Sequence, residues 1–177
     1  MRGHGQMEHT IAVKKMTAAE IEPVTSIYAE VFHPGYISFR ELAAGLAEGP
    51  GKVSDRAIAI FREQLIEMLD SDSYGLFVAT VDDTVVGFSL ASLHQAEAGH
   101  IECWLDDLGI RREWKGRGIG QALMERMLEW GRRGHARYFL ADAGLTNEPG
   151  HRLVERFGFQ PLATVFWRDG TDEPHFR

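Results

Sequence analysis

The stretch Arg111–Gly120 reads RREWKGRGIG and indicates the fold more strongly than any other part of the chain. It joins a predicted strand at 101–110 to a predicted helix at 119–133, and three of its last five residues are glycine. Glycine lets the backbone approach a ligand closely and adopt unusual dihedral angles. The first N–H groups of a helix have no partner within it, and the helix dipole adds about half a positive charge there. The stretch is therefore typical of a site for phosphate or pyrophosphate.

Two familiar phosphate-binding loops do not fit this stretch. A Rossmann loop, G-x-G-x-x-G, read from Gly116 needs glycine at position 121, where the chain has Gln121. A Walker A loop needs Gly-Lys-Ser or Gly-Lys-Thr at its end, and neither follows. For a glycine-rich loop taken alone, a flexible turn that binds nothing stays open as the alternative.

Hydrophobic periodicity extends the prediction to the rest of the chain. Downstream of the stretch, we expect a strand at 137–141, a short helix at 149–157 and a last strand at 165–168. Hairpins mixed with strand–helix–strand units predict an α/β (α+β) fold, with a mixed sheet flanked by helices. Upstream, the predicted elements are a strand at 10–16, a helix after a capping box at 17–20, a short helix and a mobile loop within 36–54, a helix that Asp55 could cap, and a hairpin that joins 74–81 to 85–93.

Length and composition favour one ordinary globular domain. The chain has 177 residues, of which 44% are hydrophobic and 25% charged. A domain takes about 100–200 residues, so we expect a single domain over 1–177, with a flexible leader at 1–9 and a polar tail at 169–177. The net charge of −7 argues against nucleic acid as a partner, because phosphate neutralisation needs clustered lysine and arginine.

Other compositional signals concern compartment and metals. Cys103 is the single cysteine of the chain, so no internal disulfide can form, which fits a reducing cytoplasm. No run approaches the roughly 20 apolar residues of a membrane helix, and the first residues resemble no signal peptide. The eight histidines form no pair at metal-ligand spacing. We therefore expect a cytoplasmic protein without membrane association or a structural metal.

Two motifs in register resemble one family. The residues Lys115-Gly116-Arg117-Gly118-Ile119-Gly120 are similar to the acetyl-CoA loop of the GNAT acetyltransferase superfamily, [Arg/Gln]-x-x-Gly-x-[Gly/Ala]. Asn147, followed by a helix that ends in Gly158-Phe159, resembles the second signature of that family. A helix and a strand separate the two motifs, as the family pattern requires. The resemblance is specific from about Trp104 to Phe166, and upstream it rests on the order of elements alone.

The resemblance implies a fold and a cofactor site. It implies a mostly antiparallel central sheet of about six to seven strands, flanked by about four helices and splayed between the fourth and fifth strands. Acetyl-CoA, the implied co-substrate, would lie in this cleft without a metal. The strand end would pair with its pantetheine arm, the glycine-rich loop would hold its pyrophosphate, and the asparagine would contact the pantetheine. The implied cofactor-binding residues are Leu108, Gly109, Ile110, Lys115, Gly116, Arg117, Gly118, Ile119, Gly120 and Asn147.

The chain departs from the family pattern at two positions. Lys115 stands where arginine or glutamine is usual, and it attracts phosphate as a point charge without a fork of donors. Val154 stands where many members carry a tyrosine that protonates the departing thiolate. A positioned acid contributes roughly 10²–10⁴ in rate. Tyr138 and His151 are the reserve candidates for that role.

Acetyl transfer needs a neutral amine, and alkylamines are mostly protonated at neutral pH, so a carboxylate must remove a proton. Glu102, Asp106 and Asp107 lie on the strand that ends at the loop, from which family bases often come. In a regular strand Glu102 and Asp106 share one face and Asp107 takes the other, unless a bulge changes this. Solvated carboxylates, or partners for Arg111 or Arg112, are the alternative.

The resulting functional hypothesis is an N-acetyltransferase that moves the acetyl group of acetyl-CoA directly to a primary amine in a ternary complex. The acceptor would be a small molecule, a protein N-terminus or a lysine. A backbone N–H near 108–110 would meet the tetrahedral oxyanion. The alternatives are a transferase for another acyl-CoA or an alcohol acceptor, and a noncatalytic CoA-binding module, which Val154 motivates. The resemblance also implies a possible homodimer.

Overall fold

The computed structural model describes residues 10–170, so the predicted leader at 1–9 and residues 171–177 of the predicted tail lie outside the described residues. The main sheet has five strands in the order β1-β4-β5-β6-β7, antiparallel except for the parallel pair β6–β7. A separate hairpin pairs β2 with β3. The strand bounds are β1 Ile11–Lys15, β2 Ala47–Gly49, β3 Lys52–Val53, β4 Tyr74–Val81, β5 Thr84–Gln95, β6 Ile101–Ile110 and β7 Ala136–Ala141.

Helices cover both faces of the main sheet and create two hydrophobic cores. α1 and α3 pack on one face with Phe88 and Leu90 of β5. α4 packs on the other face with Cys103 and Leu105 of β6. Each core buries apolar area that stabilises the fold by about 25 cal/mol per Å². The helix bounds are α1 Ile21–Val31, α2 Phe39–Ala43, α3 Ala57–Leu69, α4 Ile119–Arg133 and α5 Glu148–Arg156.

Local chemistry sets several element boundaries as predicted. Thr17 Oγ1 accepts a hydrogen bond from the backbone N–H of Ala19, and Glu20 Oε2 accepts one from the N–H of Thr17. This capping box begins a short 3₁₀ turn that leads into α1. Asp82 and Asp83 adopt φ of +48° and +61° between β4 and β5. Two consecutive left-handed residues form the tight turn whose twist matches a β-hairpin.

Three details differ from the sequence prediction. Within residues 10–170 the main sheet has five strands rather than six or seven, and 47–53 forms a separate small hairpin inside the predicted mobile loop. The predicted strand at 165–168 does not form: Phe166 is 94% exposed there, and Trp167 packs against Gly49 of the hairpin instead of a sheet edge. Arg56, and not Asp55, is the N-cap of α3.

The sheet splays where the family resemblance requires it. β7 pairs with β6 only along 101–105, with Leu105 opposite Ala141 as the last pair. Beyond Leu105, as far as Ile110, β6 pairs with β5 alone in the described part of the chain. One backbone edge of this segment therefore faces a cleft. None of the helices within 10–170 is long and apolar enough to cross a membrane. The single domain and the homodimer stay predictions.

Candidate active site

A β-bulge in β6 brings two of the predicted carboxylates together. Leu90 of β5 lies opposite Asp107, whereas the next residue, Ala91, lies opposite Leu105, so Asp106 is the extra residue of β6. A bulge turns the side chains around it out of strict alternation. Asp106 and Asp107 consequently line the same cavity. Asp107 therefore does not face away from Asp106 as it would in a regular strand, and the bulged alternative holds.

The cavity has a volume of about 300 Å³ and lies between α2, α3 and the sheet. Its carboxylates are Glu41, Asp106 and Asp107, and Arg40 is the cationic side chain among the described residues that line it. The excess of negative charge favours a cationic guest. Its lining consists of Phe39, Arg40, Glu41, Ala43, Ala44, Leu46, Phe61, Gln64, Leu65, Met68, Tyr74, Leu90, Asp106 and Asp107.

Asp106 combines burial with an ion pair. Arg40 Nη2 lies 2.5 Å from Asp106 Oδ1. Burial raises the pKa of Asp106, and the guanidinium of Arg40 and the hydroxyl of Ser92 partly offset this effect. Both groups favour the ionised carboxylate, which is the form that can accept a proton.

Asp107 lies in a more strongly desolvated environment. The hydroxyl of Tyr36 donates a hydrogen bond to Asp107 Oδ1 over 2.9 Å. Burial, and then the nearby carboxylate of Glu41, raises the pKa of Asp107 well above its usual range. Burial and the charge of Asp107 likewise raise the pKa of Tyr36. Asp107 therefore retains a proton at pH values where an ordinary aspartate is ionised.

Glu41 belongs to the helix cap that places α2 over the cavity. Its Oε2 accepts hydrogen bonds from the backbone N–H and from Oγ of Ser38, both at 2.5 Å. Burial raises the pKa of Glu41, which is only 4% exposed. At the start of the same helix, the backbone N–H of Arg40 donates to Asp142 Oδ2 over 3.2 Å. This contact ties α2 to the segment after β7.

A buried hydroxyl lies close to the same carboxylates. Tyr28 is fully buried in α1, and its hydroxyl has no hydrogen-bond partner within residues 10–170. Its ring stacks on Phe61, which lines the cavity, at a centroid distance of 3.7 Å. Burial, followed by the charges of Asp107 and Glu41, raises the pKa of Tyr28. A buried hydroxyl without a partner can donate a hydrogen bond to a nearby negative charge, which an apolar side chain cannot do.

Glu102 occupies a different place on β6. Its carboxylate contacts His100 Nε2 at 3.2 Å and accepts a hydrogen bond from Trp104 Nε1 at 3.4 Å. Of the three predicted catalytic carboxylates, the structure brings Asp106 and Asp107 together at the described cavity and leaves Glu102 outside its lining. The catalytic role of each stays a prediction.

The glycine-rich turn has the geometry of an open anion site. Gly116 and Gly118 have φ of +75° and +83°, which side chains rarely adopt, and no described atom lies within 4 Å of a Cβ placed on either. Gly118 is the N-cap of α4 and offers no side-chain cap. The N–H groups of Ile119 and Gly120 lie in the first turn of α4 and have no partner within the helix. Lys115 is exposed beside them.

The turn is anchored to α1 by charge. Glu30 Oε1 accepts a hydrogen bond of 2.7 Å from the backbone N–H of Arg112, and Arg111 Nη1 lies 3.5 Å from Glu30 Oε2. The guanidinium of Arg117 lies 4.7 Å from the ring centre of Trp114. The alternative that Arg111 or Arg112 pairs with the carboxylates of β6 does not hold, because Glu30 takes that place.

The remaining predicted positions lie around the cleft. The end of β6 pairs with β5 but not with β7, and it consists of Leu108, Gly109 and Ile110. Asn147 is the N-cap of α5, and its Oδ1 accepts a hydrogen bond of 3.2 Å from the N–H of Gly150. The helix cap uses the amide oxygen of Asn147, so the amide nitrogen is available to donate a hydrogen bond to a ligand.

The family tyrosine position and its reserve candidates fall in three places. Val154 packs against the core beneath α4. Tyr138 is near the start of β7, half exposed, with its ring 5.0 Å from that of His100. His151 lies on α5. Tyr138 is thus three residues before the last pair with β6, away from the open part of the cleft.

From the sequence, the acceptor pocket is expected within 33–54, which includes Tyr36, but Arg40 and Glu41 are not singled out as site residues. The Ser38–Glu41 capping-box pattern was readable and locates the start of α2. It does not say which part of the sheet α2 covers. That placement depends on contacts between residues about 70 to 100 positions apart, such as Tyr36 with Asp107 and Arg40 with Asp142.

Comparison with known proteins gives a consistent result. The profile of the acetyltransferase (GNAT) family matches residues 40–159. No curated protein sequence matches the chain significantly.

Several solved structures share the fold at low identity. An aminoglycoside N-acetyltransferase in complex with CoA superposes with a TM-score of 0.67 at 17% identity, covering 93% of this chain and 98% of that chain. An aminoglycoside antibiotic 6'-N-acetyltransferase from Acinetobacter haemolyticus gives 0.69 at 13% identity over 92% and 99%. Glucosamine-6-phosphate N-acetyltransferase from Arabidopsis thaliana gives 0.62 at 10% identity over 91% and 99%.

Proposed function

Because the chain belongs to the GNAT acetyltransferase family, we propose that it transfers the acetyl group of acetyl-CoA directly to a primary amine of a small cationic molecule. It is an acetyl-CoA-dependent acyltransferase by family. Structures of similar fold include an aminoglycoside N-acetyltransferase bound to CoA and an acetyltransferase of glucosamine-6-phosphate. Both act on small amines, which supports this acceptor class over a protein N-terminus or a lysine.

The acidic cavity is the observation that carries the proposal. Glu41, Asp106 and Asp107 surround a space of about 300 Å³, with one guanidinium among the described lining residues. A concave site lined by carboxylates attracts ammonium groups. The cavity borders the residue of β6 at which pairing with β7 has ended. An amine in it would therefore approach the cleft from the side opposite α4.

Asp106 is the best placed of the carboxylates to act as the base. The guanidinium of Arg40 pairs with Asp106 and favours its ionised form. Asp107, in contrast, is desolvated beside Glu41 and accepts a hydrogen bond from Tyr36. The raised pKa of Asp107 leaves that group protonated more of the time. Asp106, held by Arg40, stays available to take a proton from the ammonium group, which makes the amine nucleophilic.

The cofactor end uses backbone groups. The N–H groups of 116–120 would hold the pyrophosphate with the help of Lys115. The open edge at 108–110 would pair with the pantetheine arm, and an N–H there would stabilise the oxyanion. Asn147 would donate to the pantetheine through its amide nitrogen. Acetyl-CoA supplies the activated acetyl group and a thiolate leaving group.

The departing thiolate needs a proton, and the apolar side chain of Val154 cannot donate one. Tyr36 is the hydroxyl nearest to the start of the open segment, since it donates to Asp107 over 2.9 Å. Its raised pKa keeps it protonated. We assign the general acid to Tyr36 in place of the family tyrosine.

The test is binding followed by turnover. Acetyl-CoA at a hundred times its Kd should stabilise the protein by about 2.7 kcal/mol, which raises Tm by roughly 5–10 °C for a chain of this size. CoA should act similarly, whereas NAD and ATP serve as controls. CoA release should then be measured with monoamines, polyamines, amino sugars and their alcohol counterparts. Faster turnover with multiply charged amines supports the proposal; a response to alcohols alone, or no shift with acetyl-CoA, contradicts it.

A further inference from the structure

A line of polar side chains leads away from the acidic cavity along β5. Ser92 is 1% exposed and lies opposite Trp104, two residues before the bulge at Asp106, where its hydroxyl lowers the pKa of the Asp106 carboxyl. Ser92 Oγ lies 2.9 Å from Nε2 of His94, whose ring is exposed. A buried hydroxyl thus connects a cavity carboxylate to an imidazole in contact with solvent.

The strand geometry explains this alignment. Ser92 and His94 are two residues apart on β5 and therefore share one face of the sheet. Their cross-strand neighbours on β6 are Trp104 and Glu102. The bulge at Asp106 lies next along β6, which brings its carboxylate within reach of Ser92. A regular strand without the extra residue would not present both aspartates to the cavity.

We propose that Ser92 and His94 form a proton relay, which carries the proton taken from the acceptor amine by Asp106 out to solvent. The relay rests on the proposed function of the cavity. It adds to that function a route by which the buried base is reset. Asp106 would be the catalytic residue, and Ser92 and His94 would act through it.

The proton balance is closed without any further reactant. The ammonium group of the acceptor loses a proton to Asp106, and its nitrogen lone pair attacks the thioester carbonyl. As the tetrahedral intermediate collapses, the C–S bond breaks and the thiolate takes a proton from Tyr36. The second proton lost by the nitrogen restores Tyr36, so CoA leaves as the thiol and one proton remains on Asp106.

The Asp106 carboxyl then passes its proton to Ser92 Oγ, as the hydroxyl proton of Ser92 moves to His94 Nε2. His94 releases the proton on Nδ1 to water. Histidine suits this exit because it accepts and releases protons between pH 5 and 8.

The hydrogen bonds allow both directions that the relay requires. When Nε2 of His94 carries no proton, Ser92 donates to it and can accept from a protonated Asp106. When Nε2 carries a proton, His94 donates to Ser92, which donates to ionised Asp106. A hydroxyl is both donor and acceptor, so Ser92 can serve either state.

Several charged groups bear on the relay. Glu102 lies across the strand pair from His94 and contacts His100. Ser92 lies between Asp106 and His94, and Arg40 forms an ion pair with Asp106. The carboxylates of Glu102 and Asp106 and the guanidinium of Arg40 are thus the charged groups of the described chain that face the relay.

The decisive experiment compares three variants in a weakly buffered solution. His94→Ala should lower kcat about ten- to hundredfold, less than the loss of a direct acid or base, while KM for acetyl-CoA stays unchanged. Added imidazole should restore much of this loss, because the site of His94 is open to solvent. Ser92→Ala should lose a similar factor without rescue, since the buried middle link is missing. His135→Asn, at an exposed position with φ of +60° between α4 and β7, is the control for loss of a histidine and should keep wild-type turnover.

Each outcome separates the relay from a structural role and from the proposed function. Rescue of His94→Ala alone, together with a changed pH profile of kcat, supports the relay. Wild-type turnover in His94→Ala, or equal losses in His94→Ala and His135→Asn without rescue, would overturn it. Circular dichroism and Tm identify any variant that fails to fold. Wild-type protein that binds acetyl-CoA but acetylates no amine contradicts the proposed function instead.

Discussion

The glycine-rich turn and the acidic cavity adjoin the same strand, β6, but are built from different groups. The turn offers backbone N–H groups and the charge of Lys115, and its geometry depends on left-handed residues such as Gly118. The cavity offers side-chain carboxylates from α2 and β6, buried between two layers of the fold. One region suits an anion and the other a cation. The segment 106–110 thus lies between a turn suited to an anion and a cavity suited to a cation. On the proposed function, we expect changes in the turn to affect acetyl-CoA and changes in the cavity to affect the amine.

The largest effect is expected from Asp106→Asn. Loss of the base should lower kcat by about 10²–10⁴, because a side-chain amide cannot accept the amine proton. The Tm shift with acetyl-CoA should remain, since the turn is untouched. Steady-state kinetics and thermal shifts measure the two effects, and Asp72→Asn, at an exposed loop position, controls for loss of a negative charge. If Glu102→Gln shows this loss and Asp106→Asn does not, the base is Glu102.

The next effect is expected from Gly118→Val. At φ of +83° a branched side chain is strained by about 1–3 kcal/mol, and it also blocks the approach of a pyrophosphate. Affinity for acetyl-CoA should fall at least about tenfold, which corresponds to about 1.4 kcal/mol. Isothermal titration calorimetry gives this directly.

Gly99→Val provides the matched control for that change. Gly99 has φ of +82° in the turn between β5 and β6, and no described atom lies near its Cβ position. The same strain should therefore lower Tm without weakening the binding of acetyl-CoA. A folded Gly118→Val protein that binds as tightly as wild type would show that the turn does not hold the cofactor.

The two regions also differ in how far the sequence predicts them. The strand 101–110, the helix 119–133 and the positive φ at Gly118 follow from a continuous pattern, because each depends on neighbours within a few residues. The cavity does not, because Tyr36 meets Asp107 across 71 positions of sequence. The bulge at Asp106 decided which carboxylates converge, and no residue pattern in β6 announces it. The predicted strand at 165–168 failed since apolar alternation does not supply a partner strand.

A smaller effect is expected from Asp107→Asn, which should raise Tm, whereas the glycine substitutions lower it. The pKa of Asp107 is raised from 3.8, so the folded protein keeps a proton that the unfolded chain releases as pH rises. The free energy of unfolding is therefore not reduced by Asp107 below about pH 3.8. It decreases as pH rises from 3.8 to the raised pKa of Asp107 in the folded protein. A neutral amide removes this penalty and should raise Tm at pH 7 by roughly 2–4 °C, or about 1 kcal/mol.

The pH dependence distinguishes this effect from a general improvement in packing. The difference in Tm between Asp107→Asn and wild type should shrink towards about pH 4, where both side chains are neutral. Asp72→Asn should show no such trend. An Asp107→Asn protein that is less stable at pH 7 would mean that the Tyr36 hydrogen bond outweighs the cost of burying the carboxylate.

Lys115→Arg should have the smallest effect and should confine it to the turn. Lys115 is exposed, so its charge is screened and its contribution to phosphate binding is about 0.5 kcal/mol. A guanidinium adds two parallel donors in a fixed plane, which should lower KM for acetyl-CoA by roughly two- to threefold at low salt. The gain should fade as ionic strength rises, and KM for the amine should not move. A change in amine KM of the same size would mean that the two sites are coupled through β6 rather than independent.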